Sequence, residues 1–113
     1  MSGLLEQLFG CVGFQWDEGN ADKNWIKHRV SRSECEEVFF NEPFFVASDT
    51  AHSSTEPRFY ALGRTHSDRL LFMAFTIRGE LVRIVSARDM SKGERREYER
   101  GQTEAAHSED SEV

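Results

Sequence analysis

Residues 58–99, RFYALGRTHSDRLLFMAFTIRGELVRIVSARDMSKGERREYE, decide the fold. Arg58–Gly63 alternates. Phe59 and Ala61 fall on one side and Tyr60 and Leu62 on the other, the period of a strand with two unlike faces. Thr65-His66-Ser67-Asp68 interrupts it as a turn. Leu70–Phe75 is apolar on both sides, as a central strand covered above and below requires. Arg78-Gly79-Glu80 makes the next tight turn. Leu81–Ala87 alternates again, with Leu81, Arg83, Val85 and Ala87 on one face and Val82, Ile84, Ser86 and Arg88 on the other. An arginine in an apolar row is informative, because burying its charge alone is costly. Arg83 must therefore meet a carboxylate or face a groove. Ser91 and Glu94 then form a capping box, so a helix follows the third strand.

Working toward the N-terminus, Ser48–Pro57 is a polar loop carrying Asp49, His52 and Glu56. Phe44–Ala47 is a short strand. Ser31 and Glu34 form another capping box, with Val30 placed to staple onto Cys35. The helix they start presents Cys35, Val38 and Phe39 and stops near Asn41, before Pro43. Cys35 reads as a small buried residue. Asp17 is an N-cap candidate for a helix to about His28, whose face of Ala21, Trp25 and His28 turns Trp25 toward the core. Phe14-Gln15-Trp16 suits a short edge strand. Leu4, Leu5, Leu8 and Phe9 share an apolar face, broken by Gly10 and Gly13. The expected architecture is α+β: a mostly antiparallel sheet with two helices on one face and a C-terminal helix at its edge or opposite face. Residues 14–100 form one domain, residues 1–13 a covering segment and residues 101–113 a disordered acidic tail.

The net charge of −6 is unevenly spread. Residues 1–56 hold 4 Lys/Arg against 10 Asp/Glu, residues 57–100 hold 10 against 6, and residues 101–113 hold 0 against 4. The strands and last helix are thus a basic module in an acidic chain, which points to a polyanion or an acidic partner. No apolar run is long enough to span a bilayer. The first residues make a poor signal peptide, so the expected compartment is the cytoplasm. The 2 cysteines, Cys11 and Cys35, lack zinc-ligand spacing and read as free thiols. No metal constellation, phosphate-binding glycine loop or nucleophile motif is visible, and no cofactor is expected.

Several motifs in order carry a family resemblance: Asn24-x-x-Lys27-His28, Ala61-Leu62-Gly63-Arg64, and Arg83-Ile84-Val85-Ser86-Ala87-Arg88. Over residues 14–99 the chain resembles the BrnT toxins of bacterial type II toxin–antitoxin systems. The resemblance implies a RelE-like fold, ribonuclease toxicity that inhibits translation, and neutralisation by a BrnA-type ribbon-helix-helix antitoxin. It also implies operator DNA binding only through the toxin–antitoxin complex, which represses its own operon, and no membrane partner. Many relatives carry Gly at the position of Arg29 and Glu at that of Ile77.

RNA cleavage without a metal needs the 2′-hydroxyl deprotonated, the phosphorane charge stabilised, the 5′-oxygen protonated and the strand held in line. Arginine suits the second task, because its fork contacts two phosphate oxygens and stays charged. The candidate catalytic residues are Arg64, Arg83 and Arg88 at or near strand ends, with His28 and Glu80 for proton transfer. Candidate substrate contacts are Lys27, Arg58, Arg78, Arg95 and Tyr98. His52, Glu56, Lys27 and Tyr98 are further acid–base possibilities. The alternative function is a non-catalytic module whose basic sheet face docks an acidic protein or joins a DNA-bound complex.

Overall fold

The computed structural model describes residues 7–8, 10–49 and 56–111, apart from the side chains of residues 102–111. Its elements are β1 (Gly13–Phe14), α1 (Lys23–His28), α2 (Arg32–Val38), β2 (Phe45–Ser48), β3 (Phe59–Arg64), β4 (Leu70–Arg78), β5 (Leu81–Asp89) and α3 (Lys92–Ser111). The strands form one sheet in the order β1-β5-β4-β3-β2. All neighbours are antiparallel except β1, which runs parallel to β5. The α+β architecture read from the strand periods is therefore present. Leu4, Leu5, Phe9 and His52 lie outside the described residues.

One face of the sheet carries the main core. Phe59, Ala61, Leu71, Met73, Phe75, Val82, Ile84 and Ala87 pack against Val30, Cys35 and Val38. Both arms of the Ser31–Glu34 capping box form, at 3.0 and 3.1 Å. Cys35 has no exposed surface, and burial pushes its thiol up to about 12, so it is an inert packing residue. A Cβ on Gly63 would lie 2.5 Å from Val38 Cγ1, so only glycine lets α2 approach β3 this closely. The helix ends at Val38, and the Asn41 amide donates to the Glu37 and Arg64 carbonyls, tying its end to β3.

The alternation of β5 differs from the sequence reading at one residue. Ala74 opposes Ser86 but Phe75 opposes Ile84, so Val85 is the extra residue of a β-bulge. The bulge moves Ala87 onto the core face beside Val82 and Ile84. It also brings Arg88 to the face of Arg83, opposite Phe72 and Thr76.

The N-terminal helix corrects a second expectation. Asp17 heads a turn, accepting the Gly19 N–H on its side chain, and α1 begins only at Lys23. Trp25 is 48 % exposed, and Asn24 is the buried residue of the helix. The edge of β5 explains this. Beyond β1, Asn20 Nδ2 donates to the Ile84 carbonyl and Asn24 Oδ1 accepts the Ala87 N–H. Two asparagines thus satisfy strand groups that would otherwise be left open.

Arg29 closes α1 with φ 53 and ψ 39, the left-handed cap position that favours glycine. Arg29→Gly is expected to stabilise the protein by about 0.5 kcal/mol, since the left-handed penalty exceeds glycine's extra unfolded-state entropy and the lost contact with Trp25. A urea midpoint that falls on this substitution would contradict it.

On the opposite face Leu62, Met90 and Tyr98 form a second cluster with Phe45, Leu70 and Phe72. α3 supplies Tyr98, whose hydroxyl donates to the Pro43 carbonyl at 2.8 Å. The Ser91–Glu94 capping box forms, as read from the sequence. The helical backbone continues to Ser111, past Arg100 where the sequence reading ended the domain. Gln102, Glu104, Ala105 and Ala106 all accept a helix, and no proline stops it.

Candidate functional site

Cross-strand pairing decides which arginines share a surface. Residues directly opposite one another in the ladder point to the same side. Arg64 opposes Leu70, Phe72 opposes Leu62 and Arg88, Ala74 opposes Tyr60 and Ser86, Thr76 opposes Arg83, and Arg78 opposes Leu81. All belong to the face away from the main core. The α3 cluster occupies the Leu62–Leu70 end. Tyr60, Ala74, Thr76, Ser86, Arg83 and Arg78 continue the face beyond it.

Each of the four arginines here holds a carboxylate of the same chain. Arg83 grips Asp17 through both terminal nitrogens, at 2.8 and 3.1 Å, and also donates to Gln15 Oε1 at 3.2 Å. Arg83 therefore meets a carboxylate, one of the two outcomes its place in the strand required. Its side chain is only 14 % exposed, whereas that of Asp17 is 54 % exposed. Arg78 holds Glu56 at 2.9 and 3.2 Å. Arg88 holds Glu94 at 2.7 and 2.9 Å and lies 4.2 Å from the Phe72 ring centre. Arg64 meets Asp68 at 3.0 Å.

The electrostatic consequences are consistent. The hydrogen bond from Arg83, with the Gly19 N–H, holds Asp17 below the usual carboxylate range. Arg78 does the same for Glu56 and Arg88 for Glu94. A carboxylate held this way is a weak proton acceptor until its arginine is drawn elsewhere.

Apart from Arg58, which lies near Glu56, the other described sequence candidates lie away from this surface. Lys27 and His28 occupy the last turn of α1, where the His28 carbonyl accepts from Arg69 and its ring is within electrostatic reach of Asp89. Glu80 sits in the β4–β5 turn, its carbonyl accepting the Val12 N–H. Arg95 is an exposed residue of α3 near Asp89, and Arg58 lies close enough to Glu56 to lower its pKa. Tyr98 is 2 % exposed and anchors α3, so its ring offers no surface to a substrate. Ile77 belongs to the core side, opposite Val82. A carboxylate at this position would not point at the Arg83 face.

Two residues of this region escaped the sequence reading. Gln15 Oε1 accepts from both Arg83 and Arg78, the latter at 3.5 Å, and so stands between the two forks. In sequence Asp17 has the signature of a helix cap, whereas in the fold it is the partner of Arg83. Its position one strand away from Arg83 emerges only once β1 is paired with β5. Among the described residues no group of three or more His, Cys, Asp or Glu side chains could hold a metal, and no helix is long and apolar enough to cross a membrane.

Comparison with known proteins gives a family match. The model of the BrnT family, ribonuclease toxins of type II toxin–antitoxin systems, matches residues 16–94. That interval contains all four arginine–carboxylate pairs of the face. No curated protein matches the chain.

Proposed function

The chain belongs to the BrnT family of ribonuclease toxins of type II toxin–antitoxin systems, and on that premise we propose that it cleaves RNA on the Arg78–Arg83 face without a metal. The observation that carries this reading is the β4–β5 ladder, which sets Arg83 opposite Thr76 and on one side with Arg78, the two forks bridged by Gln15 Oε1.

Arg83 and Arg78 take the scissile phosphate in place of Asp17 and Glu56. Exchange is feasible because both carboxylates stay substantially exposed, and a phosphate offers the same fork-on-two-oxygens geometry. Released from Arg78, Glu56 regains ordinary carboxylate basicity beside the bound phosphate and takes the proton of the 2′-hydroxyl. The 2′-oxygen then bonds to phosphorus, the phosphorus–5′-oxygen bond breaks, the leaving 5′-oxygen takes a proton from water, and the hydroxide left is neutralised by the proton that Glu56 took up. Arg83 stabilises the charge on the non-bridging oxygens throughout. Glu56 fills this role rather than His28 or Glu80, because of these three it is the one paired with an arginine of the face. Translation stops as RNA is cut. A ribbon-helix-helix antitoxin neutralises the toxin, and operator DNA is bound only through the complex of the two.

The test is incubation of the folded, antitoxin-free protein with RNA in excess chelator. Fragments ending in a cyclic phosphate are expected. RNA that stays intact would remove the catalytic claim. One observation favours a second reading, a docking module: every arginine of the face already holds a carboxylate, as it would hold an acidic segment of a partner protein. On that reading Arg83 substitutions loosen the partner while wild type leaves RNA uncut.

A further inference from the structure

The part of the face between α3 and Arg83 has a chemistry that phosphate binding does not use. Tyr60 on β3, Phe72 on β4 and Arg88 on β5 stand side by side across three neighbouring strands. The Tyr60 and Phe72 rings are stacked, 5.9 Å between centres and 20° between planes. The Arg88 guanidinium lies over the same Phe72 ring, 4.2 Å from its centre. Phe72 directly opposes Arg88 in the ladder, and Tyr60 is its diagonal neighbour on the same side.

Arg88 is unsuited to grip a phosphate here. Its terminal nitrogens are already committed, Nη1 to Glu94 and the Asp89 carbonyl and Nη2 to Glu94. Glu94 is itself fixed by the Ser91 capping box, so it cannot leave without opening the start of α3. What Arg88 retains is its flat outer surface, with 38 % of the side chain exposed. Tyr60 is likewise half-buried, outside both apolar clusters. Phe72 is thus covered by Tyr60 on one side and Arg88 on the other, and it packs against the α3 cluster, so the flat faces left to a ligand are the outer sides of Tyr60 and Arg88. Flat groups on a sheet are the form in which strands bind unpaired bases: every base has a face to stack, and a paired base does not.

We propose that Tyr60 and Arg88, propped on either side of Phe72, form a stacking platform for an unpaired nucleobase of the substrate, making the toxin selective for single-stranded RNA. Arg83 and Arg78 hold the backbone and the platform holds a base beside it. The proposal rests on the RNA-cleaving reading of the same face. It adds the substrate's strandedness and a residue, Tyr60, that acts on the base rather than on the phosphate.

The experiment uses the full chain and a fluorescent oligoribonucleotide made uncleavable by 2′-O-methylation, offered as a single strand, as a duplex, and as a strand with central abasic sites. Wild type is expected to prefer the single strand. Tyr60→Leu should weaken that binding by about tenfold, within the range known for loss of one aromatic–base stack. Tyr60→Phe should stay close to wild type, and neither change should affect the abasic strand. Circular dichroism and the thermal midpoint establish that each variant is folded. The platform is overturned if Tyr60→Leu binds and cleaves the single strand as wild type does, or if its loss is equal on the abasic strand. In either case cleavage by wild type would leave the ribonuclease reading standing. If wild type neither binds any of the strands nor cuts RNA, that underlying reading fails and the platform falls with it.

Discussion

Arg83→Gln is expected to lower the single-turnover rate of RNA cleavage by about 10²- to 10³-fold, the usual loss when one preorganised donor to a developing oxyanion is removed. Arg83 is the third residue of β5, is the least exposed arginine of the face, and is braced by Gln15 as well as Asp17. A side chain held this way loses little freedom when it meets the phosphate, which is what makes it a strong charge stabiliser. Glutamine keeps a donor but loses both the charge and the two-pronged fork. Arg83→Lys separates those two losses and should fall between, since an ammonium supplies charge without the fork. The fold should survive, because the partner left behind, Asp17, is already more than half exposed to water. Thermal midpoints of the variants establish that point, and fragment formation under excess enzyme gives the rate. If folded Arg83→Gln cleaves within about threefold of wild type, Arg83 supplies no transition-state stabilisation of note.

The parts of this arrangement that could be read from sequence are those encoded locally. Strands β3 and β5 announce themselves by period-two alternation, β4 by a run apolar on both sides, and the β4–β5 turn by glycine, where Gly79 takes φ 62. Both capping boxes are four-residue signals. The partner of a charge is not a local property. Glu34 and Glu94 were legible as caps, yet each also holds an arginine, Arg69 and Arg88, from a different element. The bulge at Val85 left no compositional mark, so alternation placed Arg88 on the wrong side of β5. Trp25 was misplaced for a related reason. An amphipathic pattern asks for the large apolar residue inside, but the strand edge asked for the Asn24 amide. The clustering of arginines in residues 58–100 was plain in the charge distribution. Their conversion into paired forks needed Asp17 and Glu56, from the acidic half of the chain.

The largest effect on stability is expected at Arg69, which the sequence reading placed beside a turn and gave no role. Its guanidinium joins four segments at once. It holds Asp89 at 2.8 and 3.2 Å and Glu34 at 3.1 Å, and donates to the carbonyls of Arg29 and His28 at 2.8 and 3.1 Å. The end of α1, the start of α2, the β3–β4 turn and the end of β5 are thereby fixed to one group. Those carbonyls belong to a helix C-terminus, where a cation is favoured. Arg69→Met keeps the aliphatic stem and removes every one of these bonds. A loss of about 2–3 kcal/mol is expected in urea unfolding, the scale of charged hydrogen bonds, lessened because Asp89 stays more than half exposed. The pH dependence gives an independent check. Arg69 holds Asp89 below its usual range. Burial opposes ionisation of Glu34, but the Ser31 N–H and Arg69 together outweigh it. A carboxyl with a depressed folded pKa contributes stability above its unfolded pKa and loses it as pH falls, since the unfolded chain binds the proton first. Wild type should therefore lose stability steeply below about pH 4, and Arg69→Met should lose less over the same interval because the pairs are already gone. Equal acid slopes in the two proteins would show that Arg69 does not carry these carboxylates, and an unchanged urea midpoint would show that the four segments hold together without it.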